Sequence, residues 1–313
     1  TPAPCSRQLP VSHSVNTVAI LGLGLIGGSL ARALRENGFA SRILGYGHRE
    51  PSLRRGLELG VIDAFTLDVE EVVVEADILV ICTPTLVAES VLADILPRAE
   101  SSVHCPVITD AASVKGNLAR AAREICGGRF PSRLVLGHPI AGSERSGVES
   151  SSADLYVNHR VILTPLEEND PEALALVRAM WASTGAEVVD MDVDQHDAVL
   201  AATSHLPHVL AYALVDALAR SDASEEIFRF AAGGFRDFTR IASSDPVMWR
   251  DIAIANRSAL LEAIDLFSDH LAQLREAVAA SDSEGMHDTF TRAKAARDGF
   301  AAILAERQKS AGD

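Results

Sequence analysis

The sequence predicts an α/β protein: a doubly wound parallel sheet followed by an all-helical domain. Two observations carry the first part. Apolar runs alternate with helical patterns through residues 15–191, and the runs are apolar throughout, as expected of strands covered on both faces. The third observation is a change of pattern near residue 192, after which long helical periods continue to residue 313. The expected division is a loose tail over 1–14, a sheet domain over 15–191 and a helical domain over 192–313.

The elements follow in order. VNTVAILGLG reads as a strand and a glycine turn, and GGSLARALRENG as a helix ending at Gly38. RILGYG is a second strand, and PSLRRGLELG a helix leading to the short VIDAF. ADILVICTP is a third strand, TLVAESVLADILP a helix, and CPVITD and RLVLG continue the series. RLVLG is expected to deliver His138 directly into the polar, Gly/Pro-broken loop HPIAGSERSGVE. HRVILTP and AEVVDM are two further strands flanking the helix DPEALALVRAMWAST, whose acidic start suits an N-terminus. DQHDAVLAATSHLPHVLAYALVDALAR then reads as an apolar helical region interrupted at Pro207. SEEIFRFAAGGFRDFTRIA follows with a Gly-Gly break, and Asp245-Pro246 starts a helix of about 35 residues. A helix that long rarely buries its apolar stripe within a small helical domain, which predicts a homodimer through this domain.

Composition narrows the function. Hydrophobic residues make up 48% and charged residues 23%, ordinary for a folded soluble chain. The net charge of −15 argues against nucleic acid and anionic lipid as partners. It also means that an anionic ligand would need locally clustered Arg or Lys. No run reaches the roughly 18 apolar residues of a membrane span. The first fifteen residues lack the pattern of a secretory signal, so a cytoplasmic location is expected. The four cysteines show no ligand or disulfide spacing, and Cys82 reads as a small buried hydrophobe.

Gly22-Leu23-Gly24-Leu25-Ile26-Gly27 places GxGxxG between a strand and a helix. The first glycine permits a tight turn, the second lets the backbone approach a pyrophosphate, and the third allows close helix–strand packing. Residues 15–191 are thus expected to be a Rossmann-type dinucleotide-binding domain, with Gly22, Gly24, Leu25, Ile26 and Gly27 against the cofactor and Thr83 and Pro84 at the third strand's end. An NAD site normally carries an acid at the end of the second strand; here Gly47 stands there, followed by His48 and Arg49. That favours NADP as an alternative to NAD. The competing reading is a solvated turn, with NAD bound without the acid.

Polar clusters fall where open α/β sheets bind ligands: Asp110 to Gly116 after one strand, His138 after another, Ser204-His205-Leu-Pro-His208 within an apolar helix. Arg236 and Arg240 stand at i,i+4 and share one helix face. His205 and His208 are spaced as two metal ligands could be, but no third cluster is evident, so no metal is expected. Arg236 could instead pair with Asp237, and Ser113 could be a helix N-cap. Lys115 reads as an exposed or phosphate-side residue.

GLGLIGGS, D-x-x-SVKG, HPIAGSE-x-SGVE, SHLPH, GGFRDFTRIA and SDP-x-MWRDI, in this order, resemble the prephenate/arogenate (cyclohexadienyl) dehydrogenase family of tyrosine biosynthesis. The similarity runs from about Val15 to Arg307. It implies a helical substrate and dimerisation domain after the dinucleotide domain, and oxidative decarboxylation of a dicarboxylate cyclohexadienol with hydride transfer to NAD or NADP. His138 matches the family's proton-accepting histidine, and Ser113 the serine by the hydroxyl and nicotinamide. Arg240 matches the carboxylate-binding arginine, and Arg236 a position where relatives also carry a basic residue. His205 and His208 match the pair lining the substrate side chain, Ser143 and Glu144 the polar pair beside it, and Trp249 a tryptophan that in relatives reaches the partner's site. Trp249 could equally be plain dimer core. The rivals are a β-hydroxyacid dehydrogenase, which would need a catalytic lysine, and a non-catalytic dinucleotide sensor.

Overall fold

The computed structural model describes residues 14–142 and 145–310, apart from the side chains of 304 and 306–310. The first part builds β1 (Val15–Leu21), α1 (Leu25–Glu36), β2 (Ala40–Tyr46), α2 (Glu50–Glu58), β3 (Ala64–Thr66) and α3 (Val69–Glu75). It continues through β4 (Ile78–Ile81), α4 (Thr85–Ser101), β5 (Val107–Asp110), α5 (Gly116–Ile125) and β6 (Leu134–Val135). Six strands pair in parallel in the order β3-β2-β1-β4-β5-β6. The order reverses between β1 and β4, the position at which open α/β sheets take ligands.

The expected covering of both faces is seen in the side-chain alternation of β1. Val18 and Ile20 pack on one face with Leu30 and Leu34 of α1. Ala19 and Leu21 pack on the other with Leu92 and Ile95 of α4. All four strand residues are at most 1% exposed, so this strand is central rather than half-solvated.

A second sheet joins β7 (Gly137–Ile140), β8 (Arg160–Leu163) and β9 (Glu187–Asp190), with α6 (Pro171–Ser183) between β8 and β9. β7 runs antiparallel to β8, and β8 parallel to β9. Here the sequence expectation is corrected: His138 lies inside β7, opposite Ile162, and the loop begins after Ile140. Gly137 permits this approach, since a Cβ there would lie 3.2 Å from the Asp110 carbonyl oxygen.

The helical part contains α7 (Val193–Leu200), a π turn over Ala201–His205 and α8 (Leu206–Ala219). The expected interruption at Pro207 is a change of pitch and not a break. Proline has no N–H to give to the preceding turn, and the helix widens immediately before it. The continuous run Val193–Ala219 spans 27 residues and, by length and composition alone, could cross a membrane, contrary to expectation. Core helices of soluble proteins meet the same criterion; here His196, Asp197 and His205 are buried, while only 22% of the most apolar window is.

α9 (Ser224–Arg229), α10 (Gly233–Thr239), α11 (Pro246–Ala255), α12 (Arg257–Ala279) and α13 (Ser283–Ser310) complete the chain. Asp245 caps α11 as expected, accepting from the N–H groups of Val247 and Met248. The single helix of about 35 residues expected there is divided at Asn256, which is 4% exposed and leaves helical geometry at φ −101°, ψ 33°. The chain forms two compact units, one ending at Arg257 and one starting at Ser258. Within the second, Phe267, Leu271 and Val278 of α12 remain 36–59% exposed along one helical stripe.

The glycine turn offers a direct test. A Cβ on Gly27 would overlap the Gly22 carbonyl oxygen, whereas one on Gly24 meets nothing within 4 Å. Gly27→Ala should destabilise the protein by about 1–3 kcal/mol through overpacking. Gly24→Ala should leave the melting temperature within about 2 °C while weakening dinucleotide binding, because only an approaching pyrophosphate needs that space. Thermal melts and fluorescence titration with NAD and NADP read both effects.

Candidate active site

Two groups of residues meet at the ends of the parallel strands. The first is the glycine turn after β1. Gly22 adopts φ +103°, which strongly favours glycine, and its N–H bonds the Tyr46 carbonyl at 3.0 Å. A Cβ on Gly22 would strike the backbone of Cys82 at 2.9 Å, so β1 and β4 close tightly beneath the turn. Gly24 precedes α1 with no side-chain cap, leaving the helix's first N–H groups for an anion. Leu25 and Ile26 begin that helix, and Thr83, whose hydroxyl is buried without a partner, sits beside Pro84 at the start of α4. The uncapped helix, the open Gly24 and the orphaned hydroxyl fit a dinucleotide. Beyond β2, a Cβ on Gly47 would meet nothing within 4 Å, and His48 and Arg49 are exposed. Glu50, the nearest acid, is hydrogen-bonded to Arg54 at 2.9 Å.

The second group is a buried histidine cluster. His138 Nδ1 lies 2.9 Å from His196 Nε2, and His196 Nδ1 lies 2.8 Å from Asp197 Oδ1. Asp197 also accepts from the backbone N–H of Lys115 at 2.9 Å and of Gly116 at 2.8 Å. Asn256 donates to the Asp197 carbonyl at 2.8 Å and to His205 Nδ1 at 3.0 Å, which divides the long helix and orients His205. Burial holds His138 well below the usual histidine range, and the charges of His196, Lys115 and His205 push the same way. Burial likewise lowers His205 to about 4 and lowers His196 despite its bond to Asp197. For Asp197 burial pushes upward, but its hydrogen bonds from His196, Lys115 and Gly116 outweigh it and the carboxyl stays low.

Lys115 corrects the sequence expectation most sharply. It is completely buried, not exposed: its ammonium pairs with Asp110 and donates to the Gly137 carbonyl at 2.6 Å. Asp110 in turn accepts from the N–H groups of Gly137 at 3.1 Å and Ala112 at 2.9 Å. Ser113 lies between these residues, half-buried, two positions before the Lys115 cap of α5, so it is not the helix N-cap itself.

On the helical side, Trp249 stacks on His208, with ring centroids 3.4 Å apart and an interplanar angle of 18°, and meets His205 edge-on at 6.1 Å. His208 Nδ1 donates to the Ser204 carbonyl at 2.9 Å. Burial lowers His208, the bond to Ser204 opposes this, and the charge of Arg240 pushes downward again. Arg240 itself is exposed at the start of a 3₁₀ turn following α10. Arg236, one helical turn earlier, is 79% exposed and bonds Asp237 at 3.0 Å. Ser143 and Glu144 lie outside the described residues. Among the described residues, no group of three or more His, Cys, Asp or Glu is arranged to hold a metal.

The structure therefore links His138 to His196 and Asp197 and, through Lys115, to the segment that carries Ser113. It separately brings together His205, His208 and Trp249, with His205 and Asn256 joining the two, while Arg236 and Arg240 stay exposed. His196, Asp197, Asn256 and the structural role of Asp110 were not read from the sequence. The available signal was the adjacent His-Asp pair one helical turn after the Asp192 cap of α7.

A dinucleotide fold with a buried neutral histidine at its ligand edge defines a dehydrogenase. Residues 30–190 match the family described as prephenate dehydrogenase, nucleotide-binding domain, and residues 192–292 that of prephenate dehydrogenase, dimerization domain. Prephenate dehydrogenase of Bacillus subtilis (strain 168) is 37% identical over 301 residues, covering 95% of this chain and 78% of that one. Cyclohexadienyl dehydrogenase of Zymomonas mobilis is 35% identical over 283 residues, covering 90% and 94%. The crystal structure of Aquifex aeolicus prephenate dehydrogenase with hydroxyphenyl propionate and NAD+ superposes with a TM-score of 0.84 at 37% identity, covering 93% of this chain and all of that one. The chain belongs to the prephenate dehydrogenase family.

The histidine cluster predicts acid sensitivity. These imidazoles are held neutral in the fold, so below about 6.5 the unfolded chain binds protons that the folded chain refuses. Their contribution is complete above 6.5 and falls with pH, for His205 down to about 4. Urea unfolding at pH 7.5 and 5.0 should show a loss of about 1–3 kcal/mol at the lower pH. Equal midpoints would contradict burial of the neutral rings.

Proposed function

We propose that this chain oxidatively decarboxylates prephenate, arogenate or both, with NAD or NADP as hydride acceptor. The observation that carries the reading is His138: buried, neutral at physiological pH and fixed on a strand packed against the end of β5. When bound, the dinucleotide would supply the hydride acceptor. Gly22, Gly24, Leu25, Ile26, Gly27, Thr83 and Pro84 would hold it. The open surface at Gly47, His48 and Arg49, with Glu50 engaged by Arg54, favours competence with NADP, since no acid is free there to repel a 2′-phosphate.

His138 takes the proton of the ring hydroxyl as that carbon is oxidised, and Ser113 orients the same hydroxyl. Loss of CO2 restores aromaticity and needs little further help, so the remaining residues bind and position. Arg240 holds a substrate carboxylate, with Arg236 as a second cation that must first leave Asp237. His205, His208 and Trp249 form the wall against the side chain, and Ser143 and Glu144 are assigned to the substrate by their match to the family motif alone. A β-hydroxyacid dehydrogenase would need a free lysine for acid–base work, but the Lys115 ammonium is engaged by Asp110 and the Gly137 carbonyl.

The domain division read from the sequence, 15–191 for the dinucleotide and 192–313 for substrate and dimerisation, fits this reading. Exposed apolar side chains such as Phe238, Met248 and Ile254 in the first unit, and Leu271 and Val278 in the second, support a homodimer. Three free cysteines among the described residues and the net charge of −15 are consistent with a cytoplasmic enzyme acting on a small molecule, not on nucleic acid.

His138→Asn should lower kcat by about 10²–10⁴-fold while substrate still binds; an unchanged kcat removes His138 from the chemistry. Arg240→Gln should chiefly raise KM for the dicarboxylate, by about tenfold or more, and a normal KM refutes its anchoring role.

A further inference from the structure

We propose that Asp197 and His196 form a positioning relay that keeps the His138 proton on Nδ1 and leaves Nε2 free to accept the substrate proton. The proposal rests on the reading of His138 as proton acceptor and names the residues that make it competent. The argument starts at the carboxylate. Asp197 receives the backbone N–H groups of Lys115 and Gly116, so its oxygens act as acceptors, and Oδ1 lies 2.8 Å from His196 Nδ1. That contact requires a proton on His196 Nδ1. A neutral His196 then presents a bare Nε2, 2.9 Å from His138 Nδ1, which must donate.

The opposite tautomers do not fit. A proton on His138 Nε2 would turn its bare Nδ1 toward His196, which would then have to donate from Nε2. His196 Nδ1 would be bare and would face the Asp197 carboxylate at 2.8 Å, lone pair against lone pair. Only one neutral arrangement satisfies both bonds, and His196 is 0% exposed, so water cannot take the place of either partner.

The relay is held at both ends by one residue. The Lys115 backbone N–H bonds Asp197, and its ammonium bonds the Gly137 carbonyl next to His138 and the Asp110 carboxylate. Asn256 fixes Asp197 again through its carbonyl. The titratable groups acting on His138 are therefore His196 from α7, Lys115 from the segment before α5 and His205 from the π turn, with Asp197 beyond His196. In the proton step the hydroxyl O–H bond breaks and the Nε2–H bond forms. The resulting imidazolium points its other N–H, through His196, at a fixed negative charge.

The first test reads the tautomer directly: ¹⁵N NMR of histidine-labelled protein without substrate should show His138 protonated on Nδ1 and bare at Nε2. His138 protonated on Nε2 would overturn the proposal. In kinetics, His196→Ala should lower kcat by about 10²-fold with KM changed less than about threefold. His196→Gln, whose carboxamide can stand at the Nε2 position, should recover about tenfold or more of that loss. The acid limb of the kcat/KM profile should move up toward 6.5 in His196→Ala as water reaches His138, which a merely structural loss would not produce. The double variant His138→Asn/His196→Ala should be no slower than His138→Asn alone. Wild-type kcat in His196→Ala, beside a crippled His138→Asn, sinks the relay and leaves the acceptor standing. Wild-type kcat in His138→Asn sinks the acceptor, and the relay with it.

Discussion

A fully buried ammonium must be paired, and the way Lys115 is paired sets out the rest of the site. Its ammonium draws together the end of β5 at Asp110 and the start of β7 at Gly137, while its backbone N–H takes the carboxylate of Asp197 at the first turns of α7. Three chain segments far apart in sequence are thereby held at one point. The parallel sheet meets the small second sheet there, and the helical region meets both. Removing either partner would leave an uncompensated charge in the interior, so the arrangement is stiff in the place where, on the proposed function, a hydroxyl proton is met at a defined position.

Around that anchor the protein separates two kinds of electrostatics. The histidines are buried and kept neutral, which suits proton acceptance near neutral pH. The cations proposed to receive carboxylates, Arg236 and Arg240, stay at the surface, where charge costs little before substrate arrives. Trp249 stacks on His208, and the charge of Arg240 pushes that ring's pKa downward. On the proposed function, local cations let a chain with net charge −15 take a dianion, because the overall field is weakened by salt at that distance.

The sheet was legible because its demands are backbone demands. Gly22 and Gly27 occupy positions that a Cβ would block, so GxGxxG, standing between a strand and a helix, announced the turn. Strand runs apolar at every residue likewise reported burial on two faces. What escaped was set by contacts across long separations. Asn256 lies inside a run of good helix formers, and only its bonds to Asp197 and His205 make it a boundary. His196 and Asp197 resemble the solvated first turn of a capped helix until the fold turns them inward. Lys115 looked exposed because its partners, Asp110 and the Gly137 carbonyl, become neighbours only when β5 and β7 meet. His138 was singled out by its motif, but its place within a strand came from pairing with β8.

The central claim is that this assembly oxidises a cyclohexadienol dicarboxylate. It is tested most directly by following the reduced-nicotinamide absorbance band with purified protein, prephenate or arogenate, and NAD or NADP in all four combinations. The account predicts reduced cofactor in at least one combination, with one aromatic product formed for each cofactor reduced. No reduction in any of the four would contradict it.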